Sequence, residues 1–196
     1  MGLDEEAWVN TVVADSHDTM ADYCERITRG LRPGDCILLD ESAPSLAIIG
    51  HLPHTDITVL TTGLDVARRA MSGSDWLEIA LLPGTLDRIS RSVMVTEDGY
   101  AYVGRRSPRW GFFGGQAFSE SLGLLEHQPG LSLTKRRLAA LCELPVAHLD
   151  SRLVGSFAVY PSVPLTAIAQ IHVINGPGPS TWAHPRNPSG SDRTSD

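Results

Sequence analysis

At 196 residues, with 42% hydrophobic and 20% charged residues, the chain has an ordinary globular composition and enough length to bury a sizeable core. Its formal net charge of −7 argues against attraction of the whole chain to nucleic acid or to an anionic membrane surface. No apolar run approaches the roughly 18–20 residues of a membrane span, and the start MGLDEEAWVN has neither a secretory signal pattern nor the Ser or Thr at position six that myristoylation needs.

From 18 to 32, DTMADYCERITRGLR sets Met20, Tyr23, Cys24, Ile27 and Leu31 on one helical face, and Pro33-Gly34 ends it. CILLD follows as a continuous apolar run, the mark of a strand covered on both faces. A second helix, about 44 to 52, opens with Pro44 in its first turn. The plan repeats with a strand at 57–61, a Thr-Thr-Gly turn, a helix at 63–72 and a strand at 77–82 that ends in Pro83-Gly84. Region 88–104 reads as strand or hairpin around Glu97-Asp98-Gly99. WGFFGGQAF reads as a buried strand entering a glycine turn, and SLTKRRLAALCEL as a helix with Ser132 as N-cap and Leu138, Leu141 and Leu144 inward. VAHLD, SFAVYP and IAQIHVIN complete the strands. Strand and helix alternate, which predicts an α/β fold: a mostly parallel sheet with helices on both faces. One domain over 1–175 is expected, followed by a disordered Pro/Gly/Ser-rich tail over 176–196 in which Trp182 is a stray aromatic.

The cysteines, Cys24, Cys36 and Cys142, are odd in number and far apart, which argues against a disulfide framework and favours a reduced cytoplasm. His51 and His54 read as a surface pair, so no metal, cofactor or catalytic residue is expected. The basic clusters RRSPR and KRR read as solvated faces, and Lys135 is the only lysine. There is no nucleophile elbow, Walker loop or zinc-protease helix. In a parallel sheet, ligands bind at the strand carboxyl ends, where helix N-termini favour anions. The loops so placed carry Asp40, Ser42, Ser45, Thr61, Thr62, Gly84, Thr85 and Asp150, with Lys135 or Arg136 as a source of positive charge. Helix capping by the same hydroxyls is the competing reading. Asp40 is the best acid–base candidate. Asp35, Asp40 and Glu41 are close in sequence but need not converge.

GLRPGDCILLDESAPSLAIIGHL, ITVLTTGLDVARRAM, EIALLPGTL, GFFGGQAFSESLGL, KRRLAAL and VAHLDSRLVG, in that order, resemble the C-terminal sensor domain of DeoR-type bacterial transcription regulators over about residues 15 to 175. The resemblance implies the fold of ribose-5-phosphate isomerase and CoA-transferase-like domains, an effector that is a phosphorylated sugar or related small anion, and oligomerisation. It also implies a helix-turn-helix module, for which no candidate fits in residues 1–17, so direct DNA binding by this chain is not expected.

The ligand loops depart from the family pattern. Where the family has Asp-x-Gly-Ser/Thr-Thr, this chain has Asp40, Glu41, Ser42, Ala43 and Pro44. Pro44 removes an N–H donor, and Glu41 opposes an anion if it points inward. The family's Thr-Asn is Thr61-Thr62, its Gly-Gly is Pro83-Gly84, its Asp falls on Arg109, and a later lysine falls on Leu153; Lys135, Gly123-Leu124 and Asp150-Ser151 match. The leading expectation is an effector-sensing domain of gene regulation. The alternatives are a non-sensing module that oligomerises with a full-length regulator, and a sugar-phosphate isomerase with Asp40 or Glu41 as base.

Overall fold

The computed structural model describes residues 19–73 and 75–176. The expected tail beyond Gly176, with Trp182, and the segment 1–17 lie outside the described residues.

CILLD forms most of strand β1 (Asp35–Leu39), which lies inside a six-stranded parallel sheet. Its neighbours are β2 (Ile57–Thr61) and β6 (Trp110–Phe113); β3 (Leu77–Leu81) lies outside β2, and β9 (Leu144–Asp150) and β11 (Gln170–Ile174) lie outside β6. Alternate strand residues face opposite sides. Ile37, Leu39, Val59, Phe112 and Val146 therefore pack in one core, and Leu38, Leu60, Phe113, Ala147 and Val173 in another. This is why the strands read as unbroken apolar runs. Each side chain of this size contributes about 1.5–3 kcal/mol when fully buried.

The first core is covered by α1 (Met20–Thr28), α2 (Ala43–Ile49) and α3 (Leu64–Gly73) through Tyr23, Cys24, Ile48, Val66 and Ala70. The second is covered by α4 (Glu97–Arg106) and α5 (Pro129–Ala139) through Tyr100, Val103, Leu138 and Ala139. The mostly parallel α/β sheet with helices on both faces is thus present as expected. Two small antiparallel sheets attach to it: β4 (Gly84–Asp87) with β5 (Ser92–Val95), and β7 (Ala117–Ser119) with β8 (Gly123–Glu126) and β10 (Tyr160–Pro161).

Three local expectations are corrected. Residues 97–106 are helix, not hairpin: Glu97 and Asp98 in the first turn and Arg105 and Arg106 in the last complement the helix dipole. Gly84-Thr85 is strand rather than open loop. The fifth helix starts at Pro129 with Gln128 as its cap; Ser132 lies inside it, buried, and donates to the Pro161 carbonyl at 2.7 Å, while Leu144 belongs to β9. Proline at a first helical turn loses no bond there, so the helix extends one turn upstream. Among the described residues no helix is long and apolar enough to cross a membrane.

Gly123 turns the β7–β8 hairpin with φ +86°, and a Cβ there would lie 2.3 Å from the Val163 carbonyl oxygen. Left-handed backbone and a backbone clash combine at this position. Gly123→Ala is expected to lose about 2–4 kcal/mol in urea denaturation; an unchanged midpoint would contradict that assignment.

Candidate functional site

Four chain segments meet at the carboxyl ends of β1 and β6. Asp40 directly follows β1 and is almost fully buried. Gly114 directly follows β6, and its N–H donates to Asp40 Oδ2 at 2.7 Å. A Cβ on Gly114 would lie 2.6 Å from that of Ser42, so the absence of a side chain is what allows this approach. Ser42 is the N-cap of α2, and its N–H (3.0 Å) and hydroxyl (2.5 Å) both donate to Asp40 Oδ1. The Ser45 hydroxyl adds a further bond to the same oxygen at 2.8 Å.

Lys135 comes from α5 and is buried, 2% exposed. Its ammonium lies 2.9 Å from Asp40 Oδ2, 2.7 Å from Glu41 Oε1 and 2.7 Å from Glu126 Oε1, and it donates to the Gly114 carbonyl at 2.9 Å. One positive and three negative groups give the cluster a formal charge of 1 − 3 = −2. Burial opposes ionisation of Asp40, but Lys135, His148 and Ser42 overcome it and hold the carboxyl well below the usual range. Burial pushes Glu126 up, only partly offset by Lys135. For Lys135, burial is outweighed by Asp40, Glu41 and Glu126, which hold the ammonium protonated well above its usual range.

A second chain of bonds leads inward. His148, buried on β9, places Nε2 2.8 Å from Ser42 Oγ and Nδ1 2.8 Å from the Tyr23 hydroxyl. The Ser42 hydroxyl proton is directed to Asp40, so His148 Nε2–H donates to Ser42 and Nδ1 accepts from Tyr23. That order satisfies each donor and acceptor in the run Tyr23, His148, Ser42, Asp40.

Asp40, Ser42, Ser45 and Lys135 are therefore joined directly. Thr61 and Thr62 lie alongside: Thr61 Oγ1 accepts from the Gly63 N–H at 3.0 Å, and a Cβ on Gly63 would lie 2.9 Å from Glu41 Cα. Ser92 bridges Gly63 and donates to Glu41 Oε2 at 3.1 Å. Gly84 and exposed Thr85 sit in the β4–β5 hairpin. Gly123 opens β8, three residues before Glu126. Asp150 stands two residues beyond His148, where it caps a short turn, pairs with Arg152 at 2.7 Å and accepts from Asn175 at 3.0 Å. Arg136 donates to the Pro161 and Ser162 carbonyls. The basic clusters are largely paired, Arg106 with Glu78, Arg109 with Asp35 and Arg137 with Glu97. Sequence reasoning did not single out Glu126, His148 and Tyr23; the available signal was a polar group inside an apolar run, GLLE and VAHLD. Among the described residues no group of three or more His, Cys, Asp or Glu side chains could hold a metal ion.

The sequence matches the family described as the DeoR C-terminal sensor domain over residues 21–173. No curated protein matches it. Among solved structures, the delta subunit of eIF2B from Chaetomium thermophilum superposes with a TM-score of 0.54 at 8% identity, over 78% of this chain and 54% of that one. A probable sor operon regulator from Shigella flexneri gives 0.48 at 13% identity, over 85% and 89% of the two chains. Ribose 5-phosphate isomerase A from Methanocaldococcus jannaschii gives 0.48 at 13% identity, over 69% and 53%, so this chain spans about half the isomerase's length. At such identities the likeness is one of fold.

Lys135→Met would leave Asp40, Glu41 and Glu126 buried without their cation, and is expected to lose about 3–5 kcal/mol at neutral pH. In that variant the three carboxyls bind protons more tightly folded than unfolded, so stability should climb as pH falls from 7 towards about 5. Wild-type Asp40 acts in the opposite sense. Its folded value lies below the ordinary 3.8, so its contribution is present above 3.8 and is lost as pH falls through the folded value. Between pH 7 and about 5 Asp40 therefore adds no slope to wild type, and urea denaturation at those two pH values should show stability climbing more steeply in the variant; parallel pH slopes would sink the assignment.

Proposed function

Because the chain belongs to the DeoR C-terminal sensor domain family, whose pattern covers residues 21–173, we propose that its effector is a phosphorylated sugar or related small anion bound at the Asp40–Lys135 network. The domain is regulatory. The observation that carries the proposal is the placement of the only lysine, buried, at the carboxyl ends of parallel strands, beside a carboxylate and two serine hydroxyls. In this reading Lys135 receives the anionic group and Asp40, Ser42 and Ser45 receive sugar hydroxyls, with Thr61 and Thr62 shaping the neighbouring wall. Gly84 and Thr85 follow β3 and Asp150 ends β9, while Gly123 opens β8 of a small sheet; none of the four joins the network.

Catalysis by Asp40 is disfavoured on physical grounds. A carboxylate held well below its usual range is a weak base and a poor partner for proton abstraction. A second reading, pairing with another regulator chain, is supported by Phe157, 81% exposed, which stands with exposed Leu122 and Val159 on an apolar groove of about 580 Å³.

A thermal-shift panel of free sugars, sugar phosphates, nucleotides and small carboxylates tests the effector proposal. A ligand at about 100 times its Kd adds roughly 2.7 kcal/mol, which for a domain of this size raises Tm by about 5–10 °C. One phosphosugar should give such a shift, and Ser42→Ala should reduce it. No shift across the panel would remove the effector proposal. Pairing between copies of this chain through the same groove is checked separately by light scattering: a dimer lost in Phe157→Ser is expected, and a monomeric wild type would rule out self-pairing.

A further inference from the structure

We infer that the Glu41 carboxylate is a built-in occupant of the Lys135 anion site, standing where an effector's anionic group would bind, and that binding requires Glu41 to leave. The inference rests on the reading of Lys135 as the anion-receiving group.

The three carboxylates around Lys135 are not equivalent. Asp40 is fixed by the Gly114 N–H, by both donors of Ser42 and by the Ser45 hydroxyl, and its side chain is 2% exposed. Glu126 ends β8, and its side chain is 1% exposed. Glu41 lies on the loop between β1 and α2, keeps 12% of its side chain exposed and has, besides Lys135, the Ser92 hydroxyl at 3.1 Å. It is the member nearest solvent and, unlike Glu126 on its strand or Asp40 with its backbone and serine donors, it is carried by a loop. Three ammonium protons already serve four oxygens, so an incoming anion has no free donor on Lys135 until one of them withdraws. A phosphomonoester carries about −1.5 to −2 at neutral pH, so its exchange for Glu41 adds at most about one negative charge, whereas addition without exchange would bring a fourth negative group and about two charges into a buried site. Exchange is the route that electrostatics allows.

The departure has a first structural consequence. Ser92, which holds the outer oxygen of Glu41, belongs to β5 and bridges Gly63 at the start of α3. Release of Glu41 therefore frees a contact between the β1 loop and the β4–β5 hairpin, whose strands and turn expose Leu86 and Ile89. The hairpin is the element placed to register occupancy.

The single lysine supplies the readout. Wild type and Glu41→Gln, each labelled with 15N at the lysine ammonium, are titrated with ribose 5-phosphate and, separately, with inorganic phosphate as the anion alone. Glu41→Gln, which keeps the size but not the charge, is expected to bind ribose 5-phosphate at least about tenfold more tightly than wild type, with the Lys135 signal moving in step. Ser92→Ala loosens only the outer hold on Glu41 and supplies the same comparison, in the same direction, should Glu41→Gln fail to fold. Equal affinities in wild type and variants would overturn the built-in occupant while leaving the effector site in place. A Lys135 signal that responds to neither probe in any folded protein would overturn both the site and the inference.

Discussion

One buried ammonium holds together the end of this fold where the strands β1 and β6 finish. Lys135 from α5 contacts the loop after β1 through Asp40 and Glu41, the end of β6 through the Gly114 carbonyl, and β8 through Glu126. Those elements belong to the central sheet, to one helical layer and to a small antiparallel sheet, so a single side chain ties three structural units to one point. Apolar packing cannot do this with the same geometry, because dispersion and the hydrophobic effect carry little direction. An ammonium with three directed protons fixes where each partner must be.

From that point the polar order spreads inward. Asp40 collects its donors from the Gly114 backbone, the cap of α2 and Ser45, and so sets the entry angle of the helix. Ser42, serving Asp40, receives the proton of His148 Nε2, and His148 in turn receives that of Tyr23 on α1. A chain of four side chains thus links the first helix of the described fold to the lysine of its fifth. Each link exists because the group it serves would otherwise be buried without a partner, which is the more severe penalty in a low-dielectric interior.

The frame of this arrangement was legible in the sequence because its signal is periodic. CILLD and ITVLT bury both faces and alternate between two cores, and the helices between them show their apolar stripes. The errors fell where local signals competed. Glu97-Asp98-Gly99 has turn composition, yet the same acids complement a helix dipole, and the arginines eight residues on complete the helix. Asp40, Ser42, Ser45 and Lys135 could be named because strand-end loops and helix N-termini are where a parallel sheet gathers ligand groups, and Asp40 and Lys135 also fit the family resemblance. Glu126, His148 and Tyr23 could not, since their roles depend on partners 9, 106 and 125 residues away. Asp40 and Glu41, neighbours in the chain, reach the same ammonium because the loop turns between strand and helix and escapes strand alternation.

A charged cluster is not the most stable filling for this volume; well-packed apolar side chains of equal size often match or exceed a buried ion pair. What the cluster provides is a polar interior that remains organised while its outermost member exchanges. Asp40 and Glu126 are held by the sheet, whereas Glu41 hangs on a loop by one lysine and one serine. In this loop Pro44 has no N–H to offer an anion, and Glu41 sets a carboxylate against the same lysine. A loop poor in free donors and a buried lysine then belong together: the positive charge is matched by counter-ions that the chain itself carries.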